Sequence, residues 1–204
     1  MEKEAVRQLK CEITTCTRCR LSLTRTNAVP GEGPVHSELF FIGEAPGRNE
    51  DLTGRPFVGR AGTVLENLLA TIGLQRDMVF ITSIVKCRPP ENRVPGKDEI
   101  AACEGYLQKQ MDLTAPSILV PMGRLASELV FSHFGLPNIP IGHIHGQLVN
   151  PGPYHRDLSI FPVYHPAAVT HNPPIKGIIF EDFRVLGTII EEKGLKFGHE
   201  KRVK

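Results

Sequence analysis

The sequence predicts an α/β domain built on a mainly parallel sheet, and three observations predict it. Short, wholly apolar runs alternate with stretches of helical period. The runs show no in–out alternation, as strands covered on both faces require. Each run ends abruptly in glycine, proline or polar residues, the place where parallel strands hold ligand-binding loops. A chain of 204 residues suits a single domain, 1–204, with core enough to need no covalent staples.

The elements follow in order. Residues 1–10 form a short amphipathic helix with Ala5, Val6 and Leu9 on one face, followed by the polar, basic segment Cys16-Thr-Arg-Cys19. Residues 27–37 hold Pro30, Gly31, Gly33 and Pro34 and read as loop. Residues 39–42 are the first strand, ending in Gly43-Glu-Ala-Pro-Gly47. Val64, Leu65, Leu68, Leu69 and Ile72 make a helical stripe over 62–72 that Gly73 can cap. Residues 79–81 are a second strand, a Pro-rich loop covers 88–97, and Asp98 can cap a helix running to about Met111. Residues 117–120 are a third strand and 124–131 a helix; 135–158 read as turns with a short hairpin. Residues 160–164 are a fourth strand leading into His165-Pro166, 178–192 a last helix, and GHEKRVK a basic tail. There is no internal repeat.

Composition removes several classes. With 41% hydrophobic and 23% charged residues the chain is not disordered. No apolar run approaches the ~18–20 residues of a membrane-spanning helix. The beginning, MEKEAVRQLK, lacks an apolar signal core, so a cytoplasmic protein is expected, with no membrane partner. Five cysteines are too few, and odd in number, for a secreted disulfide scaffold. A net charge of +2 permits nucleic acid as partner without arguing for it.

Cys16 and Cys19 are spaced C-x2-C, and Cys87 and Cys103 C-x15-C. Four thiolates complete either a tetrahedral zinc site or an iron–sulfur cluster, and the spacing leaves both open. One redox-active pair with the rest buried is the plainer alternative. Cys11 is left over and reads as a packing residue. A centre joining the two segments is expected to order Arg18, Arg20, Lys86, Arg88 and Arg93 into a surface that meets phosphates; taken alone, these charges read as a solvated face.

Three blocks follow strands directly: Gly43-Glu-Ala-Pro-Gly-Arg-Asn-Glu-Asp51 with Gly54-Arg-Pro-Phe-Val-Gly-Arg-Ala-Gly62, Ile81-Thr-Ser-Ile-Val-Lys-Cys-Arg-Pro-Pro-Glu-Asn-Arg93, and His165-Pro-Ala-Ala168. Together with the four cysteines, these blocks resemble the family 4 (iron–sulfur, type 4) uracil-DNA glycosylases of bacteria and archaea. The resemblance runs from about Cys16 to Phe183 and rests on the blocks jointly, in order and separation. It implies a three-layer α/β/α fold around a four-stranded parallel sheet, a single glycosylase domain with an N-terminal cluster-binding segment, and a [4Fe–4S] cluster held by Cys16, Cys19, Cys87 and Cys103. The implied activity is base excision repair: uracil is flipped out of single- or double-stranded DNA and its N-glycosidic bond hydrolysed.

Residue roles follow from the same resemblance. A flipped base needs an aromatic face, which Phe57 would supply; its residue-level reading is ordinary core packing. Gly43, Ala45 and Gly47 would let backbone N–H groups approach the base. His165 would donate a hydrogen bond to uracil O2 as the base leaves as an anion. Glu44 and Glu50, with Asp51 behind them, are the acids for stabilising the sugar cation and orienting water. Asn92 would contact DNA or water, and the 165–173 loop would enter the minor groove with Ala168, Val169 and Thr170 as small wedges. Arg60 and Lys86 are candidate phosphate ligands. One position departs from the family pattern, which carries Asn where Ser83 stands. Ser83 reaches uracil less directly, so a broader range of deaminated bases is expected. The competing reading is a non-catalytic iron–sulfur homologue that binds uracil or DNA. A covalent histidine-trapping relative would need a basic insertion that 48–62 lacks, and a zinc deaminase its H-x-E and P-C-x-x-C signature. A monomer is expected, with a sliding clamp as a candidate protein partner.

Overall fold

The computed structural model describes residues 2–155 and 157–197. The basic tail at 198–204 lies outside them. Four strands, β1 (Leu39–Gly43), β2 (Phe80–Ser83), β3 (Ile118–Pro121) and β4 (Ser159–Ile160), form one parallel sheet in the order β2-β1-β3-β4. Phe41 lies between Ile81 and Val120, and Leu119 beside Ile160. Every residue of β1, β2 and β3 is buried, which explains their unbroken apolarity.

The side chains of β1 divide between two cores. Phe40 and Ile42 face one layer, where α1 (Glu2–Thr14), α4 (Lys97–Thr114) and α5 (Arg124–His133) contribute Leu9, Ile13, Leu107, Met111, Val130 and Phe131. Leu39 and Phe41 face the other, where α3 (Arg60–Ala70) and α8 (Pro174–Glu192) contribute Leu65, Leu68, Leu69, Phe183 and Leu186. This is the expected α/β/α sandwich. Truncating a ring such as Phe41 to Ala would cost about 3–5 kcal/mol, because neither layer can collapse into the space.

The differences from the sequence reading have local causes. The fourth strand is only two residues long, with an isolated Met122–Val163 bridge beyond it. Pro121 of β3 has no N–H to give β4, so the ladder lapses there. The hairpin expected in 135–158 reduces to the Val149–Ile160 bridge and a one-turn helix, α6 (Ile141–Ile144). The last helix begins earlier than expected, at Pro174, whose fixed φ suits a first helical turn. Short helices α2 (Arg48–Thr53) and α7 (Ala168–His171) sit in the loops that leave β1 and β4. No helix among the described residues is long and apolar enough to cross a membrane.

The chain order reverses between β1 and β3, and the loops after all four strands gather at that end of the sheet.

Candidate active site and cysteine chamber

Two adjoining cavities open at the carboxyl ends of the strands. One, of about 190 Å³, is lined by residues including Ala45, Gly47, Glu50, Phe57, Ser83 and His165. The other, of about 380 Å³, is lined by residues including Glu44, Asn92, Arg93, His165 and Ala168. Ala45, Pro46, Gly47, His165 and Ala167 border both. The three sequence blocks therefore meet in one place. A separate, mainly apolar cavity of about 280 Å³ lies between α1, α4 and residues 30–35, away from these loops.

His165 ends the fourth strand segment. Its Nδ1 accepts the Ala167 N–H at 3.1 Å, which leaves the ring proton on Nε2. Burial lowers its pKa to about 4, so the imidazole is neutral at physiological pH. Its ring lies 5.7 Å from that of Phe57, tilted by 30°. A neutral N–H donor beside an aromatic ring suits a flat polar base that gains negative charge.

Phe57 meets both of its readings. It belongs to the core beneath α3 and also lines the smaller cavity. Its φ is +50°, in the left-handed region that bulky residues avoid. Its ring lies so close over Gly43 that a Cβ there would come within 2.6 Å of Cζ. Ser83 is buried at the end of β2, beside Gly43 and on the wall of the same cavity.

The acids separate into different roles. Glu50 Oε1 accepts the N–H groups of Val58 and Gly59, both at 2.8 Å, and Oε2 accepts that of Gly47 at 3.1 Å. Asp51 is buried and accepts the N–H groups of Thr26 and Asn27. Both brace loops. The Glu44 carboxylate makes no side-chain hydrogen bond among the described residues, and burial raises its pKa against the opposing charge of Arg124. Arg124, just after β3, is a neighbour the sequence reading missed; its signal was the strand–Gly–Arg junction at 121–124.

Asn92 sits at the mouth of the larger cavity and accepts from Arg88 Nε at 2.8 Å. Arg60 is exposed at the rim of the smaller one. In the 165–173 loop, Ala168 lines the larger cavity, Val169 packs on the core, and the Thr170 hydroxyl turns back to the Ala167 carbonyl.

The four predicted ligands converge behind the pocket. Cys16, Cys19, Cys87 and Cys103 line one chamber, together with Arg18, Arg25, Lys86 and Tyr106. Three N–H groups point at sulfur: Arg25 Nη1 on Cys87 at 2.9 Å, the Lys86 amide on Cys103 at 3.3 Å and the Arg18 amide on Cys16 at 3.5 Å. Burial raises the thiol pKa values of Cys87 and Cys103; at Cys16 it is outweighed by Tyr106 and Arg18, which hold that thiol low. Among the described residues no three His, Cys, Asp or Glu side chains close on one point as a single-ion site requires. Four soft sulfur donors lining one chamber, with N–H groups on three of them, are a donor set that fits an iron–sulfur cluster.

Several expected roles are corrected. Lys86 cannot meet phosphate: it is buried, donates to Thr82 Oγ1, the Ser83 carbonyl and Gln110 Oε1 at 2.6–2.7 Å, and burial lowers its pKa to about 7. Arg20 and Arg93, both exposed, converge on buried Glu99, whose pKa they and the Gly96 N–H hold at about 2, Arg93 foremost. Arg18 lies 3.9 Å over the Tyr106 ring. Arg18, Arg20 and Arg93 stay exposed while making these contacts, so among these residues it is Lys86 that is withdrawn from the surface. Cys11 is exposed on α1 rather than buried as a packing residue.

Comparison with known proteins agrees with the geometry. The model of the uracil DNA glycosylase superfamily matches residues 30–184. A type-4 uracil-DNA glycosylase of Sulfurisphaera tokodaii is 46% identical over 89% of this chain and 83% of its own length. That of Saccharolobus solfataricus is 45% identical over 89% and 85%, and that of Archaeoglobus fulgidus 40% identical over 93% and 96%. With the sheet, the strand-end cavities and the gathered cysteines in agreement, this chain belongs to the type-4 uracil-DNA glycosylases.

Proposed function

We infer that the protein excises uracil from DNA by hydrolysing the N-glycosidic bond. One observation carries this: a neutral His165, its Nδ1 occupied by the Ala167 amide, borders both cavities beside the Phe57 ring. The flipped base stacks on Phe57 in the smaller cavity, and its sugar lies in the larger one. As the C1′–N1 bond breaks, its electron pair goes to the uracil ring. The Nε2–H of His165 stabilises the resulting anion at O2 without giving up its proton. Glu44 faces the sugar side, where a carboxylate favours the cation at C1′ and orients the water whose oxygen bonds to C1′. The water's proton leaves through that carboxylate to solvent or the departing uracil. Glu50 shapes the pocket by holding the Gly47, Val58 and Gly59 amides.

Cys16, Cys19, Cys87 and Cys103 would hold a [4Fe–4S] cluster whose contribution is structural, tying the N-terminal segment to the loop and helix of 87–103. Ser83 presents a short hydroxyl where Asn would reach the base edge, which supports a broadened range of deaminated bases. Uracil-containing DNA is the partner; the expected clamp contact, monomeric state and cytoplasmic location rest on the sequence reading.

The test is single-turnover release of uracil from a uracil-containing oligonucleotide, single- and double-stranded, by protein purified without air. Release leaving an abasic site is expected; intact strands with either substrate would overturn the reading and favour a binding-only homologue.

A further inference from the structure

We propose that Arg76, which lies in none of the sequence blocks, is a positioning residue that holds Phe57 at the base cavity. The proposal rests on the reading of Phe57 as the surface on which the base stacks.

Phe57 needs to be held. Its left-handed backbone disfavours a side chain of its size, so the surroundings must impose it. The chain from 55 to 59 is gripped at every residue. Arg55 pairs with Glu32 through Nε and Nη2 at 2.9 and 3.1 Å. Arg76 Nη2 donates to the Pro56 carbonyl at 2.6 Å, and Nη1 to the Phe57 carbonyl at 2.9 Å. The Val58 and Gly59 amides donate to Glu50. A cation thus holds two successive carbonyls and an anion the next two amides. Gly62 completes the grip, since a Cβ at that position would overlap the Phe57 carbonyl.

Arg76 is itself fixed. Its side chain is 18% exposed, and Glu32 and Glu66 take the donors not aimed at the loop. Burial pushes the Glu32 carboxyl up, but the two guanidiniums outweigh it and keep the group below its ordinary value. Glu32 in turn bridges β2 at Ile81, two residues before Ser83. One strand therefore sets both the polar wall at Ser83 and, through Glu32 and Arg76, the aromatic wall at Phe57. A lysine could not reproduce this, because a point charge cannot span two carbonyls and two carboxylates in one plane.

The experiment is a double-mutant cycle on the cluster-containing protein, with Arg76→Met, Phe57→Ala and their combination. Two quantities are read: the single-turnover excision rate on saturating uracil-DNA, and affinity for the same DNA with an abasic site. Arg76→Met is expected to slow excision about tenfold, within the range for losing one base–aromatic stack, and to change abasic-DNA affinity by less than about twofold. The double variant should be no slower than Phe57→Ala. Additive losses, or equal loss of abasic-DNA affinity, would overturn the proposal while leaving the stacking reading intact. A Phe57→Ala variant as fast as wild type would overturn the stacking reading itself. Should Arg76→Met fail to fold, Arg76→Lys takes its place in the cycle; wild-type excision by Arg76→Lys would also overturn the proposal.

Discussion

The base pocket and the cysteine chamber are both assembled from distant segments, but they are finished differently. In the pocket the protein's own groups complete one another: Glu50 on three amides, Arg76 on two carbonyls, His165 Nδ1 on the Ala167 amide. In the chamber the donors are aimed at sulfurs, and two of the four thiols are pushed by burial toward their neutral form. The pocket is a surface already set by its own groups, whereas the chamber would acquire its final charge only with the proposed metal centre, on which thiols lose their protons. Preorganisation serves rapid chemistry; a site completed by its cofactor serves cohesion.

That contrast is open to attack at several points. The largest effect is expected at the chamber: Cys103→Ser should abolish any visible band near ~400 nm and lower the melting temperature by on the order of 10 °C, checked by absorbance and calorimetry. The matching pocket variant, His165→Ala, should retain that band and its DNA affinity yet excise uracil about 100-fold more slowly in single turnover. A third test uses pH. Protonating Glu44 removes its negative charge, and burial raises its pKa above the ordinary glutamate range. Excision should therefore fall as pH drops through a midpoint above the ordinary glutamate range, while His165 stays neutral down to about 4. Glu44→Gln should be slow and lack that acidic limb; an unchanged limb in the variant would assign it elsewhere. The smallest effect belongs to Ser83→Asn, which should sharpen uracil over hypoxanthine, xanthine and cytosine by about tenfold or less. Equal selectivity in both proteins would remove Ser83 as the determinant of base range.

Much of the fold was legible because the strands are short, mainly apolar runs, two of them, β1 and β3, closed by glycine or proline. β4 was not, because its length depends on Pro121 in a different strand, which no local pattern reveals. Among the site residues, Glu44, Phe57, Ser83, Asn92 and His165 stand at strand ends or in the loops that follow, and the structure brings them to the two cavities. What sequence could not give is how charged groups divide their work. Glu50 and Glu44 differ by six positions, yet one is surrounded by amides and the other is not. Arg93 and Arg20 give no sign in the sequence of the acid they share, because a buried Glu99 looks, in one dimension, like any helix-starting Glu. Arg76 is silent for the same reason, since its role lies in backbone oxygens nineteen and twenty residues away in the chain.

Lys86 has a consequence for how pocket and chamber are joined. Its ammonium grips the carbonyl of Ser83, and the next residue along is Cys87. The cavity wall at Ser83 and the thiol of Cys87 thus share one short stretch of backbone. The Lys86 amide meets the Cys103 sulfur while its ammonium holds the Ser83 carbonyl, so one residue joins the wall of the strand-end cavity to the cysteine chamber.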